Sequence, residues 1–354
     1  MILNPKLCIN STLNGTKIFF NSVFTSLFPF LVITNIILQY DGIEIYSNLL
    51  GKSICSPLNL SKECSFPIVI SFICGYPLGA KYTCDLYEQK IIDRNTCERL
   101  LNIASNASPM FVIGAIGTSM LKNKYLGYLL LISHYISCIL MAIVLKSKNK
   151  QLYMNSSPLN KNYNKSNIGK ILKSSIENAI HSSLSIGGFI ILFSIITTLL
   201  KQNLLFNMII KLISNMLNSS YNFISSLFIG SIEMTNGCYL ISSTSCTTIT
   251  KLIVISFLIS FSGLSIICQV YSFSCKFHLS IKKYIIRKLI QGILCSIITS
   301  ILYIIVIFKT KIPVFYTMTT YTKAYNTNFA IAMCYILLMT PYVLAKAKKL
   351  FHIF

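Results

Sequence analysis

Apolar residues in this chain come in runs long enough to cross a bilayer, and some runs carry helix breakers. Tyr125–Leu145, Ile186–Leu200 with its flank, Leu252–Ser274, Tyr284–Phe308 and Phe329–Leu344 are apolar. Each approaches the roughly 20 residues that a helix needs to span a hydrocarbon core. Lys17–Tyr40 contains Pro29, and Cys97–Leu121 is interrupted over Ala104–Pro109. Phe66–Gln89 is broken at Gly75, Pro77 and Gly79, and Tyr221–Thr250 over Gly230–Gly237. The last two are too broken for a single crossing and read as re-entrant hairpins. Irregular backbone at membrane depth survives only where protein or water covers its polar groups.

Taken in order, each half predicts a span, a hairpin and two more spans. Residues 1–145 form the first half and 171–308 the second, with a linker over 146–170. Residues 309–354 add a C-terminal helix and a basic tail. The same 46 residues separate Pro29 from Gly75 and Gly187 from Glu233. The expected fold is an all-α polytopic membrane protein: an inverted repeat of transmembrane helices with two re-entrant hairpins and broken helices. Matching interruptions in two such halves point to a binding site between them.

Charge fixes the expected orientation. The chain has a net charge of +22, and its lysines cluster in Lys146–Lys170, in Lys276–Lys288 read as a loop, and at Lys346, Lys348 and Lys349. The positive-inside rule places all three on the cytoplasmic side. Lys173–Leu200 then runs outward and Lys251–Cys275 inward. Only 11% of residues are charged against 54% hydrophobic, which excludes a soluble domain. Nucleic acid is not an expected partner, because no basic surface alternates with aromatics outside the spans. Residues 1–16 hold no apolar core, so no signal peptide is read and the first crossing is Lys17–Tyr40.

The thirteen cysteines form no CxxC pair, and His134, His181, His278 and His352 form no motif with them. No metal site, cofactor or disulfide framework is expected. No nucleophile elbow, HExxH or phosphate loop is present, and enzyme chemistry is not expected.

Four stretches carry the candidate chemistry. The first is Gly75, Tyr76, Pro77 and Gly79 with Lys81, where glycine frees the backbone and proline starts a new helix; a plain turn and a snorkelling lysine are the bland alternatives. The second is Ser105, Asn106, Ser108 and Pro109, either a lining break or a proline kink that Pro109→Ala would straighten. The third is Glu233 with Thr235, Asn236 and Gly237, read as an unwinding tip. Glu177 and Glu233 are the two acids of the second half. An acid at mid-membrane is costly, so it titrates, binds or caps its own hairpin. The fourth is Gly263, Ser265 and Gln269, lining the site or packing closely. Broken-helix N-termini present N–H groups that suit an anion.

At these residues the sequence resembles a known family. Gly75-Tyr76-Pro77-Leu78-Gly79-Ala80-Lys81, Glu98-Arg99-Leu100-Leu101, Asn106-Ala107-Ser108-Pro109-Met110-Phe111 and Glu233-Met234-Thr235-Asn236-Gly237 look like the YlbJ family of sporulation membrane proteins. That family is grouped with nucleoside-recognition (Gate) proteins and concentrative nucleoside transporters. Ile186-Gly187-Gly188-Phe189-Ile190 and Gly263-Leu264-Ser265 fit it too. The resemblance covers roughly residues 15–345. It implies a transporter in the mother-cell membrane around the forespore, moving dipicolinic acid toward the spore by alternating access. The implied partners are the lipid bilayer and a small anionic substrate, with a homo-oligomer and a coupling ion (proton or sodium) left open. The alternative is a sporulation membrane protein that gates or scaffolds a complex. The family pattern has an apolar span before Lys17–Tyr40, and residues 1–16 are not expected to supply it.

Overall fold

The computed structural model describes residues 4–40, 42–146 and 168–310. Most of the central linker, and all but the first residues of the C-terminal 309–354 region, lie outside the described residues. Every regular element among the described residues is helical. Helices α1 (Pro5–Ile18) and α2 (Thr25–Gln39) are joined by a π-helical turn, Phe19–Phe24. They are followed by α3 (Gly42–Cys55), α4 (Ser65–Cys74), α5 (Leu78–Glu88) and α6 (Arg94–Ile103). A π-helical arm, Met110–Met120, leads to α7 (Lys124–Val144). The second half holds α8 (Ile168–Gln202), α9 (Leu204–Met216), α10 (Tyr221–Ile232) and α11 (Met234–Ser242). It ends with α12 (Thr248–Phe261), α13 (Gly263–Ser274) and α14 (Ile281–Thr310).

The order of breaks repeats. Residues 75–77 separate α4 from α5, as Glu233 separates α10 from α11. Residues 104–109 interrupt the next segment, as Ser262 and Gly263 divide α12 from α13. The uninterrupted α7 and α14 follow. The breaks at 75 and 233 and at 106 and 263, and the helix starts at 124 and 281, all share nearly the same offset. The counterpart helices at the head of each half also run antiparallel. Ser194 Oγ donates to Ser11 O, Gly15 packs on Ile191, and Gln39 Nε2 donates to Ser174 and Ser175 at the other end of α8. Antiparallel counterparts are what an inverted repeat requires.

The α7, α8, α12–α13 and α14 segments are long and apolar enough to cross a membrane. Their outward positions are large and apolar: Ile132, Ile139, Ile143, Leu184, Ile293, Ile297 and Ile301 are all exposed. In water such a surface would drive association; against lipid tails it is the expected face. One core fills the space between α4–α7 and α10–α14, and a smaller one lies under α2–α5 and α8.

Two expectations are corrected, those for Pro29 and for Lys276–Lys288. Pro29 does not break its segment: the helix runs on through it to Gln39, and the irregularity lies just before it, in the π-helical turn Phe19–Phe24. Residues 5–18, expected only to lack an apolar core, form α1, in which the Ser11, Thr12 and Thr16 hydroxyls donate to carbonyls one turn earlier and so are not left unpaired. Lys276–Lys288 is not all loop, since α14 begins at Ile281 and Lys288 is fully buried.

Candidate functional site

The four breaks meet. Gly75 ends α4 at φ 85°, where only glycine is at ease, and a Cβ there would come within 2.8 Å of Ser108 N. The next residue, Tyr76, donates its N–H to Asn106 O at 2.7 Å. Its hydroxyl reaches across the halves to Met234 Sδ at 2.8 Å and Ile259 O at 3.4 Å. On the far side, a Cβ at Gly263 would meet Gly230 O, Ile232 O and Met234 N at 3.2–3.3 Å. Each hairpin tip thus rests on the broken span of its own half, and Tyr76 ties the two tips together.

Residues 104–108 are non-helical backbone held by side chains of other helices. Ser71 of α4 accepts from both the backbone N–H and Nδ2 of Asn106, at 3.0 and 3.1 Å. Asn106 Nδ2 also closes α6 by donating to Ile103 O at 2.7 Å. Ala107 N donates to His134 Nε2 at 3.1 Å, and His134 Nδ1 sits 2.7 Å from Ser260 Oγ. Ser105 Oγ bonds Tyr284 OH at 2.8 Å, and Ser105 O accepts from the ammonium of Lys288. Buried polar backbone must find partners, and here α4, α7 and α14 supply them. Pro109 stands at the start of the following arm and Ser108 Oγ accepts from Phe111 N, so the proline opens a helix rather than kinking one.

At the second tip Glu233 is buried and caps α11. Its two carboxylate oxygens accept from Thr235 N at 2.9 Å and Asn236 N at 2.7 Å. Thr235, Asn236 and Gly237 therefore form the first turn of α11 and do not unwind. Gly237 faces Gly230 backbone to backbone, and Gly79 faces the carbonyl of Ala104 with Ser71 beside it. Both glycines permit close packing and leave no space for a ligand at their own Cα. Thr235 and Asn236 stay half-buried beside the tip.

The N-termini of α5 and α13 have no side-chain cap, and the two helices pack against each other. Lys81 on α5 donates to Ser182 Oγ at 3.1 Å on α8, while Ser265 and Gln269 are buried on α13, 3.5 Å apart. This is the part of the site that suits an anion: two helix N-termini without side-chain caps, one ammonium, one hydroxyl and one amide. Among the described residues no cluster of metal-ligating side chains is found.

The sequence reading missed Ser71, His134, Tyr284 and Lys288. A readable signal existed for the last two: Tyr284, Lys288, Gln291 and Cys295 follow helical spacing, and all four are buried on one stripe of α14.

These features define an integral, multi-pass, all-α membrane protein built of two halves whose broken helices converge. Over 324 residues the chain is 25% identical to the Sporulation integral membrane protein YlbJ of Bacillus subtilis (strain 168). The match covers 86% of this chain and 79% of that protein, and supports the YlbJ family read from the motifs. No family model matches the chain, and no solved structure matches it.

Proposed function

We propose that this chain is a sporulation membrane transporter that moves dipicolinic acid, a small aromatic dianion, from the mother cell toward the developing spore. The observation that carries the reading is the convergence of four helix breaks, joined by Tyr76 and Met234 from opposite halves. Backbone of this kind, buried between two repeats, is the architecture of an alternating-access site. The uncapped ends of α5 and α13, with Lys81, offer positive potential to carboxylates. Tyr76 brings an aromatic ring to the same place, and its hydroxyl ties the two halves and would have to let go as they move apart. The sporulation role and the membrane setting rest on the similarity to the Sporulation integral membrane protein YlbJ, and the membrane around the forespore is part of the proposal.

The test is uptake of radiolabelled dipicolinate into vesicles holding the purified chain. Uptake above protein-free vesicles is expected. Lys81→Gln is expected to raise KM about tenfold, the loss of roughly one charge-assisted hydrogen bond. No uptake by a folded wild-type chain would sink the transport reading in favour of a gating or scaffolding protein.

A further inference from the structure

Lys288 is a fully buried lysine that makes no ion pair among the described residues. An ammonium removed from water must be compensated, and in a membrane it is normally functional. Its partners are both neutral: Ser105 O in the 104–109 break, and Gln291 Oε1 at 3.0 Å one turn along α14. The titratable groups facing it are His134 and Cys138 of α7, neither an acid. An ammonium has three donors, and two are used. Gln291 Nε2, on the amide that Lys288 donates to, is buried with no hydrogen-bond partner, and so is Asn106 Oδ1 in the break itself. So a positive group with spare hydrogen-bonding capacity sits behind the stretch whose other side holds Tyr76.

We infer that Lys288 is the tethered counter-cation of the central site: it holds the carbonyl end of the α6 break and offsets the charge of an anion bound there, so that no free metal cation is required. The reasoning is electrostatic. Helix α6 ends at Ile103, and its last carbonyls carry partial negative charge. A dianion brought close to those carbonyls is repelled unless a cation lies between. A free cation would have to take the Ser105 carbonyl, and the Lys288 ammonium already occupies it. Lys288 therefore acts as a positioning residue for the break and a fixed charge for the ligand. Lys81 addresses the ligand from the α5 side.

The inference rests on the anion-transport reading, so its test includes binding, which needs no transport. The full chain in detergent is titrated with dipicolinate and with picolinate, the same ring bearing one carboxylate. Sodium, potassium or N-methylglucamine is the sole cation, and vesicle uptake is measured in parallel. The wild type is expected to bind the dianion with the same Kd, within twofold, in all three cations. Lys288→Gln, whose amide can still donate but carries no charge, is expected to weaken dianion binding at least tenfold and picolinate binding much less. Lys288→Arg restores part of the dianion preference. Should the glutamine variant fail to fold, Lys288→Met removes the charge at near-equal volume. A purely structural lysine would lower stability and leave the ratio of dianion to monoanion affinity untouched, which would overturn the inference. Binding by the wild type only in sodium would overturn it as well. Binding without uptake would remove the transport reading alone, and a wild type that binds neither anion would end both.

Discussion

At the scale of single residues, the site is held by side chains that replace missing helix hydrogen bonds. Glu233 shows how the structure decides between two jobs for one acid. Both of its oxygens are committed to backbone N–H groups of α11, which is capping. Glu233→Gln retains one acceptor oxygen and is expected to cost about 1–2 kcal/mol of stability, with uptake within a few-fold of wild type. Thermal unfolding in detergent and uptake per folded protein measure the two effects. Abolished uptake at normal stability would show that the carboxylate charge is used. Glu233 was legible because an acid in an apolar run is conspicuous. Lys288 was hidden for the opposite reason: Lys282, Lys283 and Arg287 precede it, and only the start of α14 shows that it turns inward. His134 and Ser71 were illegible, since a lone histidine or serine in an apolar span carries no sign of the distant backbone it will satisfy.

At the scale of elements, glycine sets how closely the arms of each hairpin approach. Gly237→Ala places a methyl against the Gly230 backbone, which cannot yield, and within 3.2 Å of Leu258 Cδ1 on α12. The expected loss is about 3 kcal/mol or more. Gly188→Ala is the control: no atom lies within 4 Å of a Cβ there, and replacing an exposed mid-helix glycine is expected to gain up to about 1 kcal/mol. Detergent melting of the two variants measures the contrast, and equal midpoints would mean that the hairpin arms are not in contact. Pro109→Ala, in contrast, is not expected to straighten its segment. The break is fixed by Ser71, Asn106, Tyr76 and His134, and a residue opening a helix needs no proline. The hairpins were legible because Gly and Pro interrupt apolar runs at matched positions. Helices α3 and α9 were not, because neither is a long apolar run. In α3, Glu44 and Lys52 interrupt the apolar positions. In α9, Leu204, Leu205, Met208, Leu212 and Met216 share the helix with Asn207, Lys211 and Asn215, and these apolar side chains lie exposed.

At the scale of the whole molecule, the two halves are tied at one end by charge. Glu88 pairs with Lys276 at 2.9 Å, Glu98 with Lys283 at 2.9 Å, and Arg94 donates to His278 O at 2.7 Å. Arg287 donates to Glu98 O at 2.8 Å beside them. The Glu88–Lys276 pair is exposed at both partners and adds little stability by itself, whereas Glu98 is buried. The excess of Lys and Arg at this end is what the positive-inside rule expects of a cytoplasmic end. Two native thiols make that orientation testable without adding any residue. Cys275 is exposed at the charged end, and Cys246 is half-buried at the opposite end of the α12–α13 segment, among Ser243, Thr244, Ser245 and Thr247. Of the remaining described cysteines, Cys268 is half-buried within that segment and the others are buried. With Cys334, which lies outside the described residues, replaced by serine, an impermeant maleimide added to intact cells is expected to label Cys246 and spare Cys275. Permeabilised cells should label both. The reverse pattern would invert every crossing, because α12–α13 and α14 are joined by a loop too short to cross again. Labelling of both from outside would mean that the α12–α13 segment does not span the membrane, and the break at Ser262–Gly263 could not then sit at its midplane.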